Sequence, residues 1–145
     1  MDKICCFSRQ NNNYLLWSHY AGHHRGFCLE FNVLDNIDFF LPIFPIIYRK
    51  EYAPANLWEA PGAIAEQMFQ RKSDVWEYED EVRVIKNGAE ARQVEYKPES
   101  LKSVIFGCRA TKETIEKVKE VLKETVQYKR IVLSETEYHL DVVNL

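Results

Sequence analysis

Residues 81–86, Glu-Val-Arg-Val-Ile-Lys, alternate polar and apolar side chains with a period of two. An extended strand sorts such a run onto two faces, because successive side chains leave opposite sides of the pleated backbone. Val82 and Val84 go to one face, and Glu79, Glu81 and Arg83 go to the other. A second pattern marks a helix. From Thr111 onward, Ile115, Val118, Leu122 and Val126 recur at helical spacing, while Glu113 and Lys117 form an exposed pair one turn apart. Strands of this length beside a helix of this kind predict an α+β fold. It is read as a mostly antiparallel sheet of short strands with two to four helices packed on it.

The remaining segments fit that class. Lys3–Ser8 reads as a short buried strand. Asn11, Asn12 and Asn13 form a polar turn able to cap a helix through Leu15, Leu16 and Tyr20, ended by Gly22 or Gly26. Phe27–Phe31 alternates as a strand, and Val33–Asp38 reads as a loop or one helical turn. Pro42 and Pro45 argue against a central strand before Ile46, leaving Ile46–Arg49 as a short strand. Pro61 opens a helix to Lys72 with Ile64, Ala65, Met68 and Phe69 facing inward. Asn87-Gly88 is a hairpin signal, with Ala91–Lys97 as the return strand. Leu101–Phe106, closed by Gly107, then Ile131–Leu133 and Leu140–Val143 complete the strands. With no repeat or linker, residues 1–145 are read as a single domain.

Composition narrows the partners. The chain is 46% hydrophobic and 28% charged with a net charge of -3, and its Lys and Arg are dispersed. That leaves no duplex nucleic-acid footprint, although a local pocket can still take a nucleotide. No apolar run reaches the ~20 residues that cross a bilayer, and the N-terminus lacks a signal-peptide layout. Cys5, Cys6, Cys28 and Cys108 form no CxxC pair. Neighbouring cysteines also bridge only with strain. They are read as buried reduced thiols, with no metal site, in a cytoplasmic protein.

Two stretches carry more chemistry than packing needs. In Leu15–Phe31, Trp17, His19, Tyr20 and His24 crowd between apolar segments. Trp17 and Tyr20, three apart, share a helix face and combine an apolar body with a polar tip. His19 and His23, four apart, have a spacing that holds metals only when a third ligand joins them. The second stretch holds Lys72, Trp76, Glu79, Glu81 and Arg83. Close carboxylates raise a pKa, and a neighbouring guanidinium lowers it again. Together these residues are read as opposite walls of one ligand-binding or catalytic pocket.

The order Cys6-Phe7-Ser8, Leu16-Trp17-Ser18-His19-Tyr20, Gly26-Phe27 with Phe31, then Lys72, Trp76 and Glu79-x-Glu81-x-Arg83 resembles domain of unknown function 2971 of bacterial and phage proteins. The resemblance implies an upstream segment with a Tyr-rich strand, a helix and an Asn-Asp-Pro motif. The chain would then be the C-terminal part of a longer family domain. At the level of pattern it is also similar to ADP-ribosyltransferases. That similarity implies Glu81 as the carboxylate acting on the nicotinamide ribose, Glu79 orienting an acceptor, and Trp17 or Tyr20 stacking on nicotinamide, with NAD as substrate. Two alternatives stand beside it. One is a nuclease-type toxin, with His19 or His24 as general acid or base and Arg83 or Lys72 on phosphate. The other is a non-catalytic nucleotide- or protein-binding module. A purely structural reading has Glu81 and Arg83 bridging neighbouring strands.

Overall fold

A computed structural model describes residues 3–52, 54, 58, 60–86 and 94–145. In chain order the elements are β1 (Lys3–Ser8), α1 (Tyr14–Tyr20), β2 (Phe27–Phe31), α2 (Ile37–Phe40), β3 (Ile43–Pro45), β4 (Ile47–Arg49), α3 (Pro61–Phe69), β5 (Arg71–Ser73), β6 (Glu81–Lys86), β7 (Leu101–Phe106), α4 (Lys112–Leu122), β8 (Gln127–Leu133) and β9 (Leu140–Asn144). Short 3-10 segments precede α2, β6 and β7, and one follows α4. The fold is α+β, with antiparallel pairing dominant, as the alternation of patterns predicts.

Two compact units share the chain: Met1–Gln10 with Asp38–Val94, and Asn11–Ile37 with Glu95–Leu145. In the first unit, β6 lies between β1 and β3 with antiparallel pairing on both sides. Pro45 sits in an edge strand, where its missing N–H costs the ladder nothing. Val82 and Val84 are buried as their alternation predicts, and Phe40 is buried with its ring edge-on to Phe7 at 5.6 Å. A separate parallel pair joins β4 to β5, in the register Ile47 to Arg71, Tyr48 to Lys72 and Arg49 to Ser73.

The second unit holds a four-stranded sheet ordered β2-β7-β8-β9. Strands β7 and β8 are parallel, and α4 connects them. Thr111 caps α4 by accepting from the Thr114 N–H, which satisfies one of the helix's orphan donors. Ile115, Val118 and Leu122 pack on Val104, Phe106 and Ala110, as their helical spacing requires, whereas Val126 joins them from extended chain beyond the helix rather than from its face. The other cluster gathers Trp17, Ile105, Ile131 and Leu140.

Several expectations are corrected. Strand β1 is present but mostly exposed, so Cys5 and Cys6 are exposed thiols rather than buried ones, while Cys28 and Cys108 are half-buried. The reason is position: β1 is an edge strand, paired only to β6 in its sheet. Helix α3 stops at Phe69, and Lys72 lies in β5. Pairing with β4 takes over there, where the Ile47 N–H donates to the Gln70 carbonyl at 2.7 Å. Ala65 and Met68 face outward. Residues 94–97 form no strand, and Asn87-Gly88 and residues 91–93 lie outside the described residues.

Candidate functional site

Glu79 does not belong to β6. It closes a 3-10 turn over Asp74–Glu79, and Asp80, left-handed at φ 45, swings the chain into the strand. Glu79 and Glu81 nevertheless meet, because both accept from one ammonium. Lys72 Nζ donates to Glu79 Oε2 and, at 2.8 Å, to Glu81 Oε2. Arg83 Nε donates to the other oxygen of Glu81 at 2.6 Å, and its Nη1 donates to the Phe69 carbonyl at 2.7 Å. The Glu81 N–H donates to the Tyr48 hydroxyl at 2.8 Å, and the Ser8 hydroxyl donates to the Glu79 carbonyl at 2.7 Å. Glu79 and Glu81 are only 4% and 5% exposed, so these are buried charges, and pairing is what makes their burial tolerable.

The electrostatics follow from those partners. Burial pushes the Glu81 carboxyl up, but hydrogen bonds from Arg83, Lys72 and Cys6 outweigh it and hold it at about 2. Burial pulls the Lys72 ammonium down, yet its bonds to Glu79 and Glu81 hold it above the usual lysine range. Lys72 Nζ also lies 5.3 Å from the Trp76 ring centroid, a cation–π distance. The Cys6 thiol stands opposite Arg83 in the β1–β6 register. Partial burial and Glu81 raise it, so it stays a protonated donor to that carboxylate.

Beside this network lies an open cleft of about 280 Å³ lined by Arg49, Lys50, Glu51, Tyr52, Gln67, Arg71, Lys72 and Ser73. It opens at the C-terminal ends of the parallel strands β4 and β5. Alternation puts Tyr48 and Lys72 on the face of that pair turned to the carboxylates, and Arg49, Arg71 and Ser73 on the other. Arg71 Nη2 reaches Glu66 at 3.3 Å, while its Nε is buried without a hydrogen-bond partner among the described residues. Arg49 and Lys50 have no ion-pair partner among the described residues either. The cleft therefore holds cations with donors to spare.

In the second unit, Asn13 caps α1 by accepting from the N–H groups of Leu15 and Leu16, as the sequence predicts. Trp17 is buried, and its Nε1 donates to the Asn11 carbonyl at 2.8 Å. Tyr20 is 68% exposed, so the two rings meet different surroundings despite their spacing. Helix α1 ends at Tyr20, so His19 and His23 do not share a helix face. Gly22, His23 and His24 are all left-handed, at φ 55, 56 and 66. That path returns the His23 and His24 N–H groups to the carbonyls of Ser18 and Trp17, which caps the helix end. Among the described residues, no group of three His, Cys, Asp or Glu is placed to hold a metal ion.

His24 packs its ring edge-on to Tyr14 at 5.9 Å, and its Nδ1 is buried without a partner among the described residues. Burial first, then Arg109 and His23, lowers its pKa from the ordinary 6.5. Its folded value thus lies below its unfolded one. The stability this neutral ring contributes is present above about pH 6.5 and is lost as pH falls from there through the folded value. His24→Asn keeps a residue that tolerates the left-handed backbone. Thermal melts at pH 7.5 and 5.5 should show a smaller pH difference in this variant than in the parent. An unchanged difference would assign the titration elsewhere.

Trp17, His19, Tyr20 and His24 thus belong to the second unit, and Lys72, Trp76, Glu79, Glu81 and Arg83 to the first. Tyr48, Cys6 and Arg71 join the first group's chemistry, and sequence inspection passed over their roles there. A signal existed for Cys6, which stands in a strand able to pair with β6. Tyr48 carried none, since only the parallel pairing of β4 and β5 brings its hydroxyl to Glu81. A further cluster also went unnoticed. Glu30 accepts from Lys129 Nζ at 2.6 Å, from the Ser103 hydroxyl and from Asn11 Nδ2 at 3.3 Å.

Residues 16–84 match the model of a protein family described as protein of unknown function DUF2971. The chain resembles that family. The matched range runs from the first turn of α1 into β6 and includes Trp17, His19, Tyr20, His24, Lys72, Trp76, Glu79, Glu81 and Arg83. Cys6, Phe7 and Ser8 precede it. No curated protein and no solved structure matches the chain. Among the described residues, no helix is long and apolar enough to cross a membrane.

Proposed function

We propose that the first unit is a binding module for a small phosphate-bearing ligand, held in the cleft at the ends of β4 and β5. The observation that carries this reading is the group of cations lining the cleft: Arg49 and Lys50, without an ion-pair partner among the described residues, and Arg71 beside them. Guanidinium groups match phosphate geometry through forked donors. Ligands of parallel strands characteristically sit beyond their carboxyl ends. The Lys72–Glu79–Glu81–Arg83 network acts here as a scaffold. Both oxygens of Glu81 are already engaged, by Arg83 and Lys72, so the geometry favours binding over ADP-ribosyl transfer.

The test is an NMR titration of the chain with inorganic phosphate, repeated with Arg71→Gln and Arg49→Gln. Saturable shifts at Arg49, Lys50 and Arg71 are expected, with affinity about tenfold weaker in either variant, since one charge-assisted hydrogen bond contributes about 1.5–3 kcal/mol. Failure of the parent to bind phosphate overturns the reading. Proton NMR of NAD with the parent and Glu81→Gln separates the transferase reading. Nicotinamide release by the parent alone, at a temperature where the variant is still folded, would favour that chemistry over simple binding.

A further inference from the structure

We infer that the ligand of this cleft is a nucleoside monophosphate, an assignment that rests on the phosphate-binding reading and names its ligand class. A site built for a bare anion needs cations and polar hydrogens. This cleft has two further components that such a site would not use. Glu51 places a carboxylate among the cations, which repels a free anion but accepts hydrogen bonds from a sugar diol, as acidic residues do for ribose in nucleotide sites. Tyr52 stands next to it, lining the cleft while 91% exposed. An aromatic ring left in water beside guanidinium groups is a stacking platform for a base.

The components run in the order a nucleotide needs. Arg49 and Lys50 leave the end of β4, followed directly by Glu51 and Tyr52, so phosphate, sugar and base contacts lie along one short segment. Across from them, Arg71 and Ser73 line the cleft from one face of β5. Size limits the class further. The open cleft's volume of about 280 Å³ is at the lower bound of small-molecule sites, roughly 300–1,000 Å³. That suits one nucleotide and leaves the second half of a dinucleotide such as NAD outside.

Isothermal titration calorimetry of the full chain with inorganic phosphate, ribose 5-phosphate and adenosine monophosphate tests the assignment. Affinity is expected to rise at each step, with adenosine monophosphate binding about tenfold or more tighter than ribose 5-phosphate. Tyr52→Leu, at a position too exposed to affect folding, should remove the last gain and leave phosphate affinity unchanged. Glu51→Gln should remove the gain from ribose. Equal affinity for phosphate and adenosine monophosphate would overturn the nucleotide assignment while leaving the phosphate site standing. Absence of binding by all three would overturn both. Tight adenosine monophosphate binding that survives Tyr52→Leu would also refute the assignment as drawn.

Discussion

Glu81→Gln is expected to destabilise the protein by about 2–4 kcal/mol, a fall of roughly 10 °C in Tm for a chain of this size. The substitution keeps the side chain's shape and removes its charge. Lys72 and Arg83 would then face a neutral amide, with side chains only 21% and 17% exposed. Breaking a buried pair on one side costs about 3–5 kcal/mol, and an exposed pair under about 1. Glu79 still holds Lys72, and both cations keep some solvent, which places the expectation between those limits. The amide must also accept from Arg83 with one oxygen while turning its NH₂ toward the Lys72 ammonium, donor against donor.

The same network makes a pH signature. The folded Glu81 carboxyl sits at about 2 against an ordinary 4.5. Stability from this group is therefore complete above about pH 4.5 and drains away as pH falls toward 2. Acid unfolding of the parent should steepen in that window, and Glu81→Gln should lack the added slope. The compensating variant Glu81→Gln with Lys72→Met removes the stranded ammonium and should recover part of the lost Tm. A Glu81→Gln protein that melts with the parent would mean the ion pairs contribute nothing, and the scaffold role would fall with them.

Gly107→Ala is the second large effect, with an expected loss of about 3 kcal/mol or more from overpacking against rigid backbone. A Cβ at this position would lie 2.1 Å from the His24 carbonyl oxygen and 2.6 Å from its carbon. Neither atom can yield cheaply. The same oxygen accepts from the Arg109 N–H at 3.0 Å, and the Gly107 N–H donates to the Gly26 carbonyl at 3.0 Å. Moving the His24 segment away would break both bonds and disturb the left-handed turn that ends α1. Gly62→Ala is the matched control, since a Cβ there meets nothing within 4 Å and the position lies in helix α3. It should be neutral or stabilise by up to about 1 kcal/mol. Denaturant melts of the two variants, with amide exchange at Arg109, check the expectation. A Gly107→Ala protein as stable as the parent would show that the His24 segment is not locked to β7.

The two glycine positions also show where local sequence stops being informative. Gly22 lies in a turn that its left-handed φ explains, and a glycine after a helical stretch announces such a turn. Gly107 looked like a strand terminator, and it is one. Its stricter requirement comes from His24, eighty-three positions earlier in the chain, and no local pattern encodes that approach.

What the sequence by itself determined were the features that depend on neighbours a few residues apart. Helix α4, its Thr111 cap and its Glu113–Lys117 pair follow from a 3.6-residue period. The Asn13 cap of α1, strands β2, β6 and β7 and the α+β class follow from capping chemistry and alternation. The residue types of the candidate site were visible as well, because Lys72, Glu79, Glu81 and Arg83 are conspicuous around an otherwise apolar strand. Only the tertiary structure decided what those residues do. Alternation shows that Glu81 and Arg83 share a face, but not that the face is buried. The central place of β6, with Lys72 from β5 and Tyr48 from β4 brought against its start, turns a polar strand face into a paired, buried network. The same parallel pairing of β4 and β5, set by contacts between segments more than twenty residues apart, builds the cleft where Arg49 and Arg71 converge.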